Sequence, residues 1–381
     1  MKIKMAMIGG GIGSFIGPVH LMAARMDNMI ELVAGAFSSD AETSIKSGLE
    51  YGLPAERVYE SWQEMIRAER KLPSGDRPDL VCIATPNHLH FKPALEAIKS
   101  GFHIVCDKPL CLNLEEAFEL EKAIKQNNTL FCITHNYTGY PMVKKAREMI
   151  QNGDLGSIRK VVVEYLQGWL SEKEESLGNK QAEWRADPAK AGAAGCMGDI
   201  GTHAFQLSEY ITGKKVEKLY SQLNTHIDGR KLDDDGVVIL NFEEGIKGSL
   251  VASQVAAGEE NGLSIRIYGT EGGLEWRQME PNSLVVRWKS KPLQVYRTAT
   301  GFEAIGKLVD NHSRIPAGHP EGFIEAFANL YRNFALNLIA EKDNIKHDPQ
   351  YDYPGIEDGV RGMRFLEAVV KSSKEDRWRE V

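Results

Sequence analysis

Apolar residues in the first third of the chain fall in short aliphatic or β-branched runs, separated by stretches in which they recur at helical spacing. The runs predict strands at Ile3–Ile8, Glu31–Ala36, Leu80–Ala84, His103–Cys106 and Leu130–Thr134. Helices are predicted between them at Val19–Met26, Ala41–Tyr51, Ser61–Arg70, Phe91–Ser100 and Leu114–Asn127, with Gly101 as a stop after the fourth. Strict alternation of strand and helix is the grammar of a doubly wound parallel sheet. After about Tyr137 the grammar changes. A helix over Met142–Gln151 is followed by strand-like runs at Arg159–Leu166, Lys218–Thr225, Gly236–Phe242 and Lys247–Ser253. Turns containing Glu244-Gly245 or Glu259 to Gly262 suit hairpins, so these strands should be largely antiparallel. Helices return at Gly322–Ala340 and Gly355–Ser372.

A chain of 381 residues exceeds one comfortable core, which points to two domains. The expected architecture is α/β: residues 1–137 form an N-terminal Rossmann domain, and 138–381 form an α+β domain around a large, mainly antiparallel open sheet. One sheet face should be covered by the chain's own helices and the other by a second subunit, giving a homodimer or homotetramer. With 42% hydrophobic and 26% charged residues, the composition is that of a globular protein. A net charge of −7 offers no broad positive field for nucleic acid. No apolar run approaches the roughly 20 residues that span a bilayer, and Met1 to Ile8 is too short for a secretory signal, so a cytoplasmic location is expected. The cysteines, Cys82, Cys106, Cys111, Cys132 and Cys196, form no Cys-x-x-Cys pair and read as reduced, buried thiols. No metal site is expected.

Chemistry enters at the first strand–helix junction, Gly9-Gly10-Gly11-Ile12-Gly13-Ser14-Phe15-Ile16-Gly17. Glycines let backbone approach a pyrophosphate, and a helix N-terminus favours its charge. Gly9, Gly11, Ile12, Ser14, Phe15 and Ile16 are therefore candidates for dinucleotide contact. The third glycine suited to helix packing, Gly17, comes several residues late. Where an acid at the end of the second strand would mark NAD, the chain has Phe37-Ser38-Ser39 with Asp40 one step on; Ser38 is the candidate there, and NAD or NADP stays open.

Three more segments fall where such sheets bind ligands: Thr85-Pro86-Asn87-His88-Leu89-His90, Cys106-Asp107-Lys108-Pro109-Leu110 and Gly198-Asp199-Ile200-Gly201-Thr202-His203. Together with the long glycine turn, they resemble the Gfo/Idh/MocA family, the glucose-fructose oxidoreductase and inositol dehydrogenase group, over essentially the whole chain. The resemblance implies an NAD(P)-dependent enzyme moving a hydride between nicotinamide and a hydroxyl-bearing carbon of a sugar, glycoside or polyol. It maps the family's Glu-Lys-Pro onto Asp107-Lys108-Pro109, with the Lys108–Pro109 bond cis. It maps the catalytic aspartate and histidine onto Asp199 and His203, whose i,i+4 spacing places both on one helical face. Thr85, Pro86, Asn87, His90, Asp107, Lys108 and Asn136 join the cofactor candidates. Either His203 or Lys108 suits the proton transfer that must accompany hydride loss.

Substrate-side candidates are Lys108, Tyr137, Tyr140, Trp184, Arg185, Asp199, His203 and His319, with His312 a weaker member, since sugar sites combine aromatic faces with orienting polar groups. The same residues admit plainer readings. Lys108 before proline suits a surface turn, His203 suits a satisfied helix histidine, and Thr85, Asn87 and His90 suit capping of the following helix. Two other functions share the motifs: a redox-neutral NAD-dependent glycoside-cleaving enzyme of the same family, and a non-catalytic dinucleotide-binding regulator.

Overall fold

The computed structural model describes residues 2–301 and 305–381. The chain forms two compact units, one comprising the residues up to Asn136 together with Phe327–Val360, the other Tyr137–Ala326 with Arg361–Val381.

The first unit alternates β1 (Ile3–Gly9), α1 (Ile16–Met26), β2 (Ile30–Ala36), α2 (Ala41–Glu50), α3 (Trp62–Glu69), β3 (Leu80–Ala84), α4 (Phe91–Lys99), β4 (His103–Cys106), α5 (Leu114–Asn127) and β5 (Phe131–Ile133). The strands form one parallel sheet in the order β2-β1-β3-β4-β5. Central β3, Leu-Val-Cys-Ile-Ala, is buried at every position, as a strand covered on both faces must be. Polar side chains start the helices where sequence chemistry places them. Asp40 accepts from Thr43 N, Ser61 from Glu64 N and Asn113 from Glu116 N, at the N-termini of α2, α3 and α5.

The expected single cut after residue 137 is too simple, because Phe327–Val360 belongs with the first unit. Buried Tyr331 explains the attachment: its hydroxyl lies 2.7 Å from His20 Nδ1 on α1 and 3.2 Å from Cys82 Sγ in β3. Pro354 O also accepts from Ile133 N of β5. Nothing in the local pattern of a helix announces such distant partners.

Three histidines of this unit are held neutral. Burial pushes His20 and His103 down to about 4, and burial with the positive charge of Lys108 pushes His135 down to about 3. A histidine that resists protonation only in the folded state contributes stability that is complete above pH 6.5 and is lost as pH falls toward the folded value. Thermal unfolding between pH 7 and 4.5 should show a falling midpoint, each histidine adding at most about 1.4 kcal/mol per pH unit. His20→Gln should flatten that slope; an unchanged slope would remove His20 from the account.

The second unit opens with α6 (Pro141–Gln151) and carries a nine-stranded sheet: β6 (Ile158–Leu166), β7 (Val216–Asn224), β8 (Asp235–Phe242), β9 (Lys247–Ser253), β10 (Gly262–Gly269), β11 (Gly272–Arg277), β12 (Ser283–Trp288), β13 (Gln294–Arg297) and β14 (Arg379–Glu380). Between β6 and β7 lie α7 (Lys180–Arg185), α8 (Pro188–Ala191), a π-helical turn over Met197–Gly201 and α9 (Thr202–Thr212). The later helices are α10 (Lys307–Asp310), α11 (Phe323–Lys342) and α12 (Ile356–Glu375). Strand order is β13-β12-β11-β10-β6-β9-β8-β7-β14, antiparallel throughout except for the β6–β9 pair. The Glu259–Gly262 turn is therefore not a hairpin between neighbours. It carries the chain across β6, which pairs with β9 on one side and β10 on the other. Alternation along β8 buries Gly236, Val238, Leu240 and Phe242 and leaves Val237 and Ile239 exposed.

Candidate active site

In the first unit the glycine turn leaves β1 with left-handed backbone at Gly9, Gly10 and Gly13. A Cβ on Gly17 would lie 2.1 Å from Gly10 O, so the turn and the start of α1 touch backbone to backbone. A Cβ on Gly11 would lie 2.8 Å from Phe37 O. The turn is braced from below by Tyr51 Oη donating to Gly10 O at 2.7 Å, Ile12 N donating to Ser47 Oγ at 3.0 Å and Gly17 N donating to Ser14 Oγ at 3.2 Å. Ile12 and Phe15 stand exposed at the tip, at 43% and 65%, and Ile16 opens a helix with no acid in its first turn. Ser38 Oγ accepts from Asp40 N, so that pair closes its own small turn after β2.

At the carboxyl ends of β3, β4 and β5 the loops are tied together. His90 is fully buried, with Nδ1 2.7 Å from Pro109 O and Nε2 2.8 Å from Thr85 O. Its part in the site is to lock two loops. Pro86 and Asn87 begin the short helical turn between them, and Thr85 Oγ1 donates to Leu89 O. Asp107 Oδ1 accepts from Lys108 N at 2.9 Å and from Thr134 Oγ1 at 2.8 Å, which fixes the backbone at Lys108. The Lys108–Pro109 bond is cis, as the resemblance implies. Asn136 is buried at the end of this row, and its Nδ2 has no hydrogen-bond partner among the described residues. A backbone cradle without room for Cβ atoms, at a helix N-terminus free of acids, together with an orphaned buried amide, fits a ligand that carries phosphates at one end and a hydrogen-bond acceptor at the other.

In the second unit the glycine-rich stretch before Asp199 is held by Asp233, whose carboxylate accepts from Gly195 N at 2.7 Å and Met197 N at 2.8 Å. Asp199 lies in the π-helical turn and His203 in the first turn of α9, so the expected regular helix spacing is replaced by a widened turn, a feature frequent at functional sites. Asp199 Oδ2 accepts from Arg185 Nε at 3.0 Å and Gln254 Nε2 at 2.8 Å. Arg185 is anchored in turn by Gln181 and stacks 4.1 Å over the Trp184 ring, while Trp184 Nε1 donates to Gln181 Oε1.

His203 is buried, its ring 4.9 Å edge-on to Tyr137 and 6.3 Å from Tyr165. The two tyrosine hydroxyls bond to each other, and Tyr165 Oη donates to Asn261 Oδ1 at 2.7 Å. Asn261 Oδ1 also accepts from Gln167 Nε2 at 2.8 Å, and Gln167 Oε1 from Trp169 Nε1 at 3.0 Å. Tyr137, Trp184, Arg185, Asp199 and His203 thus gather in one region of the second unit. Three other candidates do not. Tyr140 is a core residue, stacked on Tyr137 and packed 5.3 Å from Trp276, and burial raises its hydroxyl well above the usual tyrosine value. The ring contacts of His319 among the described residues stay within its own exposed turn, at Pro316 O. His312 is buried in the turn after α10, with Nδ1 2.8 Å from Leu308 O.

Sequence reasoning missed Tyr165, Gln167, Trp169, Gln254 and Asn261. A usable signal was present for two of them: Gln167 follows directly on the run ending at Leu166, and Gln254 on the run ending at Ser253, the first polar positions past adjacent strand ends.

A family model described as oxidoreductase family, NAD-binding Rossmann fold, matches residues 3–146, and one described as Gfo/Idh/MocA C-terminal domain matches residues 143–275. An uncharacterized oxidoreductase of Bacillus subtilis, YfiI, is 32% identical over 98% of this chain and 95% of its own. A levoglucosan dehydrogenase of Pseudarthrobacter phenanthrenivorans is 28% identical, covering all of this chain and 98% of its own. Among solved structures, an inositol dehydrogenase homologue from Azotobacter vinelandii complexed with NAD+ superposes with a TM-score of 0.94 at 34% identity, covering 100% of this chain and 98% of that one.

Proposed function

Since the chain belongs to the Gfo/Idh/MocA family of NAD-binding oxidoreductases, we propose that it oxidises or reduces one alcohol carbon of a sugar, glycoside or polyol, working in the cytoplasm, where its five buried thiols stay reduced. The observation that carries this reading is the pairing in the second unit of a clamped carboxylate, Asp199, with the buried imidazole of His203. Names borne by relatives, inositol and levoglucosan dehydrogenase, support the same substrate class.

Bound NAD+ supplies the hydride acceptor. The glycine turn from Gly9 to Gly17 would hold the phosphates, and the orphaned Asn136 amide would donate a hydrogen bond to the cofactor. Asp199, held by Arg185 and Gln254, accepts a hydrogen bond from a substrate hydroxyl and so sets the orientation of the ring. His203 accepts the proton of the reacting hydroxyl. Tyr137 holds the imidazole by an edge contact, and Tyr165 packs beside it at a tilt. The test is a screen of sugars, glycosides and polyols with NAD+ that follows the absorbance of reduced nicotinamide. Net reduction supports a dehydrogenase. Cleaved glycoside with no net reduction supports the redox-neutral alternative instead.

The cofactor side favours NAD over NADP. Residues 37–45 after β2 contain Asp40 and Glu42 and no lysine or arginine. Hydrogen bonds from Thr43 hold the Asp40 carboxyl below its ordinary value, so it is charged at neutral pH. A 2′-phosphate would meet negative charge, and NADH should bind at least about tenfold more tightly than NADPH in fluorescence titrations. Equal affinities would contradict this.

For assembly, we propose that a second copy covers the open sheet face on which Val237 and Ile239 are exposed. Light scattering should give a dimer or tetramer; a monodisperse monomer would end that proposal.

A further inference from the structure

Around Arg185 and Gln254, the two partners of Asp199, the second unit has a shallow recess open to solvent, with Leu170, Ala182 and Arg230 also in its wall. Both of its arginines are engaged by carboxylates. Arg185 Nε donates to Asp199 at 3.0 Å. Arg230, whose side chain is almost wholly buried, donates through Nε and Nη2 to Glu175 at 3.0 and 3.1 Å and through Nη1 to Asp234 at 3.4 Å. Asp234 is itself fixed by the backbone N–H groups of His226 and Ile227, and Asp233 also lines the recess. Two cations therefore stand among four carboxylates, Asp199, Glu175, Asp233 and Asp234, and every nitrogen of the Arg230 guanidinium is already engaged.

The other polar side chain of the wall, Gln254, is uncharged, and beside it, at the end of β6, lies Gln167 with Asn261 next to it. Carboxamides both donate and accept, which matches hydroxyl groups and does not neutralise a phosphate. Resting on the dehydrogenase reading above, we infer that this unit selects an uncharged ring, a neutral sugar or cyclic polyol, and rejects phosphate esters and uronates. Arg185 and Arg230 determine that selectivity by being bound to carboxylates, and Gln167, Gln254 and Asn261 meet the hydroxyls. A phosphate or carboxylate brought here loses water and meets net negative charge, which is costly in a partly buried site.

The experiment compares matched pairs on the NAD-loaded protein: glucose with glucose 6-phosphate, glucose with glucuronate, and myo-inositol with its monophosphate. It reads kcat/KM by reduced-nicotinamide absorbance and, on the NADH complex, affinity by calorimetry. For at least one pair the neutral member should be preferred by about 100-fold or more. In Glu175→Gln, which removes one negative charge from the wall, the neutral-to-charged ratio should fall about three- to tenfold at low salt. An anionic member used as well as its neutral partner, or a ratio unmoved by Glu175→Gln, overturns the selectivity while leaving the dehydrogenase reading in place. No turnover and no binding for any member of either kind overturns both.

Discussion

Lys108→Ala and His203→Ala should each lower turnover by about 100- to 10,000-fold, the usual cost of removing a positioned acid or base. NADH affinity, read by fluorescence titration, should change less than about threefold. The split follows from where these groups sit. Lys108 stands just past β4, where Asp107 accepts from its N–H and from Thr134 Oγ1, and those bonds do not involve its ammonium. The glycine turn that should hold the phosphates lies elsewhere on the same sheet edge and is braced by Tyr51, Ser47 and Ser14. His203 packs against Tyr137 and Tyr165 within the second unit. Near wild-type turnover in His203→Ala would exclude it as the base, and near wild-type turnover in both variants would place the acid–base groups elsewhere, while no turnover in the parent protein itself would favour a regulator that only binds the dinucleotide. If His203→Ala alone is inactive, the proton belongs to His203 and Lys108 has no essential part in the chemistry.

The second large effect is expected at Gly17. An alanine there places a Cβ 2.1 Å from Gly10 O and 2.3 Å from Gly10 Cα, contacts that only a backbone shift can relieve. Overpacking of this kind costs about 1–3 kcal/mol or more, and here the strain falls on the turn itself. NADH affinity should fall roughly 10- to 100-fold, since each 1.4 kcal/mol is a factor of ten. Gly13→Ala is the control. A Cβ there meets nothing within 4 Å, and only its positive φ of 82° opposes the change, so its loss should be smaller. If Gly17→Ala bound NADH as tightly as the parent while Gly13→Ala did not, backbone freedom at the tip would matter and close packing at the helix start would not.

Much of the first unit was legible because its signals are local. Each strand and helix there carries its own period, and each N-cap donor or acceptor lies within three residues of its partner, as Asp40 does with Thr43 and Asn113 with Glu116. The glycine turn could be read for the same reason, since its chemistry is a property of consecutive residues between β1 and α1. The Asp107-Lys108-Pro109 segment and the Asp199–His203 spacing were visible as short motifs, and the family resemblance supplied the roles proposed for them.

What the sequence by itself determined, then, is the identity and order of the elements and the short motifs at their ends. Tertiary structure alone decided which distant residues meet. The place of β6 between β9 and β10, the return of Tyr331 to His20, and the convergence of Arg185, Asp199 and Gln254 join residues 14 to 311 positions apart. Hydrophobic periodicity tells a strand which face to bury but not which strand to pair with, and a side chain's charge does not say which opposite charge engages it. The selectivity proposed for the second unit depends on that last point: nothing in the sequence says what Arg185 and Arg230 meet, and the folded chain has matched each with a carboxylate.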